Sequence, residues 1–184
     1  MISPQAFLDK WNSEIYGLVQ YDESSLQPFI LPEETRNFLL QAGLPESAPP
    51  FLTFESSAEG GGVRLTQYND QLDEAYERYI YLGFTGSGSP VCIDESNGEV
   101  VFIDGDNENA RVFMNSSIPQ LAESLLVYVE FINKVNTING RGAYLDKNAP
   151  KESLDWVCDR LRQVDQACLI EGGFWEEELA GFRK

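Results

Sequence analysis

From Tyr79 to Ile132 the chain repeats a short extended pattern several times and then changes period, and no other stretch restricts the fold as strongly. Residues 79–84, 91–93, 100–103 and 111–114 are short runs rich in β-branched and aromatic side chains, each followed by glycine, asparagine, serine or aspartate. Such side chains fit a pleated surface and such punctuation turns a chain. Asn97-Gly98 marks a tight hairpin between the second and third runs, and the turn fixes its register. Ser117 and Gln120 then stand at capping-box spacing, where the serine accepts the amide hydrogen three residues on and the glutamine reaches back. Ile118, Leu121, Ala122, Leu125, Val129 and Ile132 fall on one helical face, which must lie on the sheet.

The flanks read as helices and connections. Phe7, Leu8, Trp11 and Ile15 recur at helical spacing and predict a first helix ending near Gly17. Leu31-Pro32-Glu33-Glu34 opens a second helix with proline in its first turn and acids at the positive end of the dipole. Thr35, Phe38, Leu39 and Ala42 form its buried face, and Gly43 with Pro45 stops it. Residues 45–50 read as a connection, 51–54 as a strand, 56–62 as a loop and 63–66 as a partner strand. The acidic segment 70–78 has no clear period. After a glycine- and asparagine-bearing loop over 137–148, a last long helix starts near Pro150, with Leu154, Val157, Leu161 and Val164 on one face and Asp155, Asp159, Arg160 and Arg162 toward water. Residues 174–179 form a short final turn or helix whose aromatics anchor the tail. The predicted fold class is α+β: one domain over 1–184, a twisted, mainly antiparallel sheet with helices on one side and at the ends, the core spanning about 31–134 and a helical extension about 149–184.

The order of these parts resembles the SUKH superfamily, the Smi1/Knr4-like proteins, and within it the SUKH-4 bacterial immunity proteins. A strand, the turn Gly86-Ser87-Gly88-Ser89-Pro90, the strand Val91-Cys92-Ile93-Asp94, the strand that runs from Gly98 to Asp104, and Val112-Phe113-Met114-Asn115-Ser116-Ser117 before a helix carry the resemblance. Upstream, Leu31-Pro32-Glu33-Glu34, Phe38-Leu39-Leu40 and Gly43-Leu44-Pro45 look like the family's early helix and its exit. The chain departs from the pattern at Ser89, where family members often carry an acid. The resemblance implies a non-catalytic immunity protein that binds a cognate toxin domain, often a nuclease or nucleic-acid deaminase. Its alternative is a regulatory scaffold of the Smi1/Knr4 type.

Charge and chemistry narrow the reading independently. Thirty acidic residues against thirteen basic ones give a formal net charge of −17. Nucleic acid and anionic membranes both require a basic face, so neither is an expected partner, whereas a basic protein would be steered in. The chain has no histidine, which removes imidazole-based triads and histidine-ligated metal sites. The glycines of 83–88 precede a strand rather than a helix, so they do not form a phosphate loop, and no cofactor is expected. Asp104, Asp106 and Glu108 alternate like the start of a calcium loop, but Asn109 and Asn115 occupy the glycine and glutamate positions, leaving a solvated hairpin loop. Cys92, Cys158 and Cys168 cannot all pair within one chain, residues 1–11 lack the pattern of a signal peptide, and the apolar run 125–132 is too short to span a bilayer. A cytoplasmic monomer or weak homodimer is the expectation. The candidate partner-binding residues are Gly86, Ser87, Gly88 and Ser89 in the turn, Asp94 at a strand end, Asn115 and Ser116 before the long helix, and Glu74 and Glu77. The last two belong to a set of upstream carboxylates, with Glu23, Glu46, Glu55, Glu59, Asp70 and Asp73, that can form one acidic face.

Overall fold

The computed structural model describes residues 1–183. Helix α1 (Pro4–Leu8) is capped by the Ser3 hydroxyl and is followed by strand β1 (Leu18–Val19), α2 (Glu23–Leu26) and α3 (Glu33–Gln41). Three short strands, β2 (Leu44–Pro45), β3 (Ser47–Ala48) and β4 (Leu52–Phe54), precede β5 (Val63–Arg64), α4 (Leu65–Tyr68) and a 3₁₀ turn over Glu74–Tyr76. The main strands are β6 (Tyr79–Phe84), β7 (Pro90–Asp94), β8 (Val100–Asp104) and β9 (Ala110–Asn115). Helices α5 (Ile118–Asn139), α6 (Lys151–Val164) and α7 (Phe174–Ala180) complete the chain.

All strand pairings are antiparallel. The main sheet runs β3-β4-β6-β7-β8-β9, with β5 sharing the β4 edge of β6, while β1 and β2 form a separate ribbon. One register places Val91 opposite Phe102 and Cys92 opposite Val101, so the turns after β6 and after β8 lie at the same end of the sheet. Gly83 marks an irregularity in the pairing of β6 with β7, where a Cβ would come 2.0 Å from the Thr53 carbonyl oxygen. Only glycine permits β4 to approach there.

The central strands are apolar on both sides and so need cover on both. On the first face Ile80, Leu82, Val91, Ile93, Val100, Phe102 and Met114 join one core with Phe38 and Leu39 of α3, Leu121, Leu125, Tyr128 and Phe131 of α5, and Trp175 and Leu179 of α7. On the second face Tyr79, Tyr81, Cys92, Val101 and Ile103 cluster with Leu65, and Tyr68 stacks on Tyr81 with ring centroids 3.8 Å apart. This second requirement explains residues 63–78. The expected strand over 63–66 stops after Arg64 because Leu65 turns inward to fill the second face, and the acidic segment that follows folds over it with Tyr76 against Tyr79.

Other boundaries also differ from expectation. The first helix ends at Leu8, since the Trp11 indole donates to the Tyr16 carbonyl at 3.0 Å and turns the chain back, leaving Ile15 exposed. Residues 45–50 are not a plain connection but supply parts of β2 and β3. The strand expected from Phe51 begins at Leu52, because Phe51 has a left-handed backbone with φ 63°. Helix α5 continues to Asn139, and its buried stripe drifts from Val129 and Ile132, which are half-buried, to Tyr128, Phe131 and Val135. The C-terminal segment is built into the core, where Trp175 is fully buried.

Candidate partner-binding surface

The predicted partner-binding residues lie in three places. Gly86, Ser87 and Gly88 are exposed in the turn between β6 and β7, at the end of the sheet shared with the β8–β9 loop. Ser89 is buried beneath that turn. Its amide donates to the Thr85 hydroxyl at 3.2 Å, and the Thr85, Ser87 and Ser89 hydroxyls follow one another at 2.9 and 3.3 Å. A small hydroxyl therefore suits this position, inside the turn.

Asp94 lies at the opposite end of β7 on the second face, only 1% exposed. Arg78 approaches its carboxylate at 3.1 Å and Arg111 at 3.4 Å, and the Ser96 hydroxyl and amide donate at 2.6 and 3.1 Å. Asp94 thus serves the fold by tying β6, β7 and β9 together. Glu74 and Glu77 are exposed on the same face, in and just after the 3₁₀ turn. The Tyr76 hydroxyl donates to the Asn109 carbonyl at 3.2 Å, which joins this segment to the β8–β9 loop. Asp70, Asp73, Glu74 and Glu77 therefore continue into Asp106 and Glu108 as one acidic border that runs toward the turn end of the sheet. Glu23 and Glu59 do not join it as free charges, since Glu23 pairs with Arg36 at 3.4 Å and Glu59 accepts from the Ser56 amide and hydroxyl.

Asn115 and Ser116 are on the other side, under the start of α5. Asn115 is fully buried; its amide donates to Ser124 Oγ at 3.1 Å and Asp165 Oδ2 at 3.2 Å, and its oxygen accepts from Trp175 Nε1 at 2.9 Å. Ser116 donates to Asp165 from its amide at 2.7 Å and its hydroxyl at 2.9 Å. These two residues staple β9, α5 and α7 together. Ser117 caps α5 as the sequence predicts, its hydroxyl accepting from the Gln120 amide at 3.4 Å, but the Gln120 side chain accepts from that hydroxyl at 2.8 Å and donates to the Val164 carbonyl at 3.2 Å rather than reaching back to the Ser117 amide.

The turn end of the sheet carries a feature that sequence reasoning missed. Phe51 exposes 67% of its surface and stands directly beside the turn, where a Cβ at position 86 would come 2.8 Å from its own Cβ. Phe51 borders a cleft of about 460 Å³ lined also by Pro50, Gly86, Ser87, Phe174, Glu177 and Glu178. It also borders one of about 450 Å³ lined by Ser47, Thr53, Phe84 and Gly88. Glu178 is occupied internally, accepting from the Tyr128 hydroxyl at 2.7 Å and pairing with Lys147 at 2.9 Å. Glu177 is exposed and has no ion-pair partner among the described residues.

A profile of the SUKH-4 immunity protein family matches residues 4–181, nearly the whole chain. The chain belongs to the SUKH-4 immunity protein family. No curated protein and no solved structure gives a significant match. Membership supports an immunity role and implies a cognate toxin as partner.

Among the described residues no group of Cys, Asp and Glu is arranged to hold a metal ion, and no helix is long and apolar enough to cross a membrane. The three cysteines are free; burial pushes the Cys92 thiol well up and the Cys168 thiol up to about 12, so neither supplies a thiolate near neutral pH. Contact with another macromolecule is the chemistry that the exposed turn, the Phe51 ring and the acidic border favour. The signal for Phe51 was weak in the sequence, since an aromatic after two prolines also opens an ordinary strand.

Proposed function

We propose that this SUKH-4 protein neutralises a toxin of the nuclease or nucleic-acid deaminase class in the cytoplasm of the producing cell by occupying its basic substrate groove, and transforms no substrate itself. Contacts are assigned to Gly86, Ser87 and Gly88 in the turn and to Glu74 and Glu77 in the acidic border. One observation carries the electrostatic part. Eight of the thirteen basic residues, Arg36, Arg64, Arg78, Arg111, Lys134, Lys147, Arg162 and Arg183, are paired with carboxylates of the same chain, while Asp70, Asp73, Glu74 and Glu77 are exposed with no ion pair among the described residues. Such a surface steers a basic partner and speeds its approach.

The test is co-expression with the toxin encoded beside the chain's own gene, followed by association kinetics of the purified pair. Cells should survive only with the intact chain, and the association rate should fall as salt rises. Reversal of Glu74 and Glu77 to lysine should chiefly slow association and leave dissociation little changed. Toxin binding without protection would point to the regulatory-scaffold alternative, and salt-independent association would remove the steering mechanism.

A further inference from the structure

Phe51 is held where it is against local preference. A left-handed backbone is disfavoured for any L-residue with a side chain, and for a bulky aromatic it is an outlier. The fold also keeps position 86 free of a side chain so that the Phe51 Cβ can approach. Both choices hold an apolar ring two-thirds in water, at the mouth of two clefts. Strain of this kind persists where the surrounding structure enforces it, and it concentrates at ligand-contacting positions.

Resting on the immunity reading, we infer that Phe51 anchors the complex and that its occupant is an arginine side chain of the toxin, with the guanidinium stacked on the Phe51 ring and paired with Glu177 across the same cleft. Three features select this chemistry. The cleft joins an aromatic face to a carboxylate with no ion-pair partner among the described residues, and Phe174 and Pro50 supply apolar walls for a long aliphatic stem. A guanidinium is planar and weakly hydrated, so it can stack on the ring while donating to a carboxylate, which a compact ammonium does less well. An uncharged apolar occupant would cover the ring but strip water from Glu177 without pairing it, which is costly. A second copy of this chain, at net charge −17, is repelled by the same field.

The probe is a catalytically silent form of the toxin domain encoded beside the chain's gene, titrated against the wild type and the variants F51G, F51L and E177Q. F51L keeps an apolar side chain without the π face, and about a tenfold rise in Kd is expected for it and for E177Q. F51G should also lose about tenfold or more in affinity while unfolding at the same denaturant concentration as the wild type or higher, because glycine accepts the left-handed backbone. A purely structural Phe51 would give the reverse, lost stability with affinity retained. Replacing the toxin's surface arginines singly by lysine should reveal one whose loss is not additive with F51L. If the wild type binds and protects but F51G, F51L and E177Q bind equally well, or every arginine replacement is neutral, the inference falls and the immunity reading stands. If the wild type neither binds nor protects, both fall.

Discussion

Replacement of Asn115 by alanine tests whether this residue works inside the fold. Asn115 is fully buried and serves three partners, accepting from Trp175 Nε1 at 2.9 Å and donating to Ser124 Oγ at 3.1 Å and Asp165 Oδ2 at 3.2 Å. The variant leaves the indole N–H with no acceptor in a site that excludes water, since Trp175 is itself fully buried. An unsatisfied buried donor costs about 1–3 kcal/mol. Asp165 loses one donor but keeps the Ser116 amide, the Ser116 hydroxyl and the Ala167 amide, so its share is the smaller. The total expected loss is about 2–4 kcal/mol, a large part of the stability of a domain of this size. Urea denaturation followed by tryptophan fluorescence should show the midpoint falling with the m-value unchanged. W175F removes the donor together with its need for an acceptor, so in a double-mutant cycle the N115A loss should shrink by about 1–2 kcal/mol in the W175F background. A loss below about 0.5 kcal/mol for N115A, or strict additivity with W175F, would refute the network.

Two further outcomes follow from burial. Burial, reinforced by nearby carboxylates, raises the hydroxyls of Tyr21, Tyr81 and Tyr128 far above the ordinary value of 10, and Tyr144 to about 12. The folded state therefore favours the neutral phenols: their contribution is fully present below pH 10 and is lost as pH rises above it, so alkaline unfolding should coincide with a step in phenolate absorbance. Smooth titration of all eight tyrosines in a still-folded protein would contradict this. In the native protein a thiol reagent should modify Cys158, which is partly exposed, while Cys92 and Cys168 react only after denaturation; rapid native labelling of Cys92 would mean that the cover formed by residues 65–76 is not closed.

What could be read from the sequence was what short-range chemistry specifies. Asn97-Gly98 sets a hairpin and Ser117 caps a helix through neighbours only a few residues away, and both stand where the sequence puts them. Elements fixed by distant partners were not legible. Leu65 turns into a helix because the second face of the sheet needs filling, a requirement set by Tyr81, Cys92 and Val101. Asp94 looks like a surface acid until Arg78, just before β6, and Arg111 of β9 are brought against it, and Asn115 looks like a cap until Trp175 arrives from 60 residues away. Phe51 was hidden for a related reason. Its backbone is left-handed and its neighbour at position 86 lacks a side chain, and neither fact alone marks a recognition residue.

The placement of the cations links stability to recognition. Three carboxylates that the fold draws out of water hold cations, Asp94 with Arg78 and Arg111, Glu178 with Lys147 and Glu95 with Arg64, whereas the buried Asp165 is held by amide and hydroxyl donors. Partial burial alone would raise the Glu95 carboxyl, yet the Arg64 side chain and the Ile30 amide, which donates at 2.6 Å, hold it below the usual range. Left without partners, these carboxylates would each cost several kcal/mol, on the order expected for a charge taken out of water. Arg64, Arg78, Arg111 and Lys147 are thus fixed by requirements of folding, while the acids of the loops over 70–77 and 104–108 stay at the surface without an ion pair among the described residues. Salt screens exposed charges far more than partly buried pairs. An ionic strength that slows the encounter with a basic toxin therefore leaves the pairs beneath the surface largely intact, so steering and stability respond to salt separately.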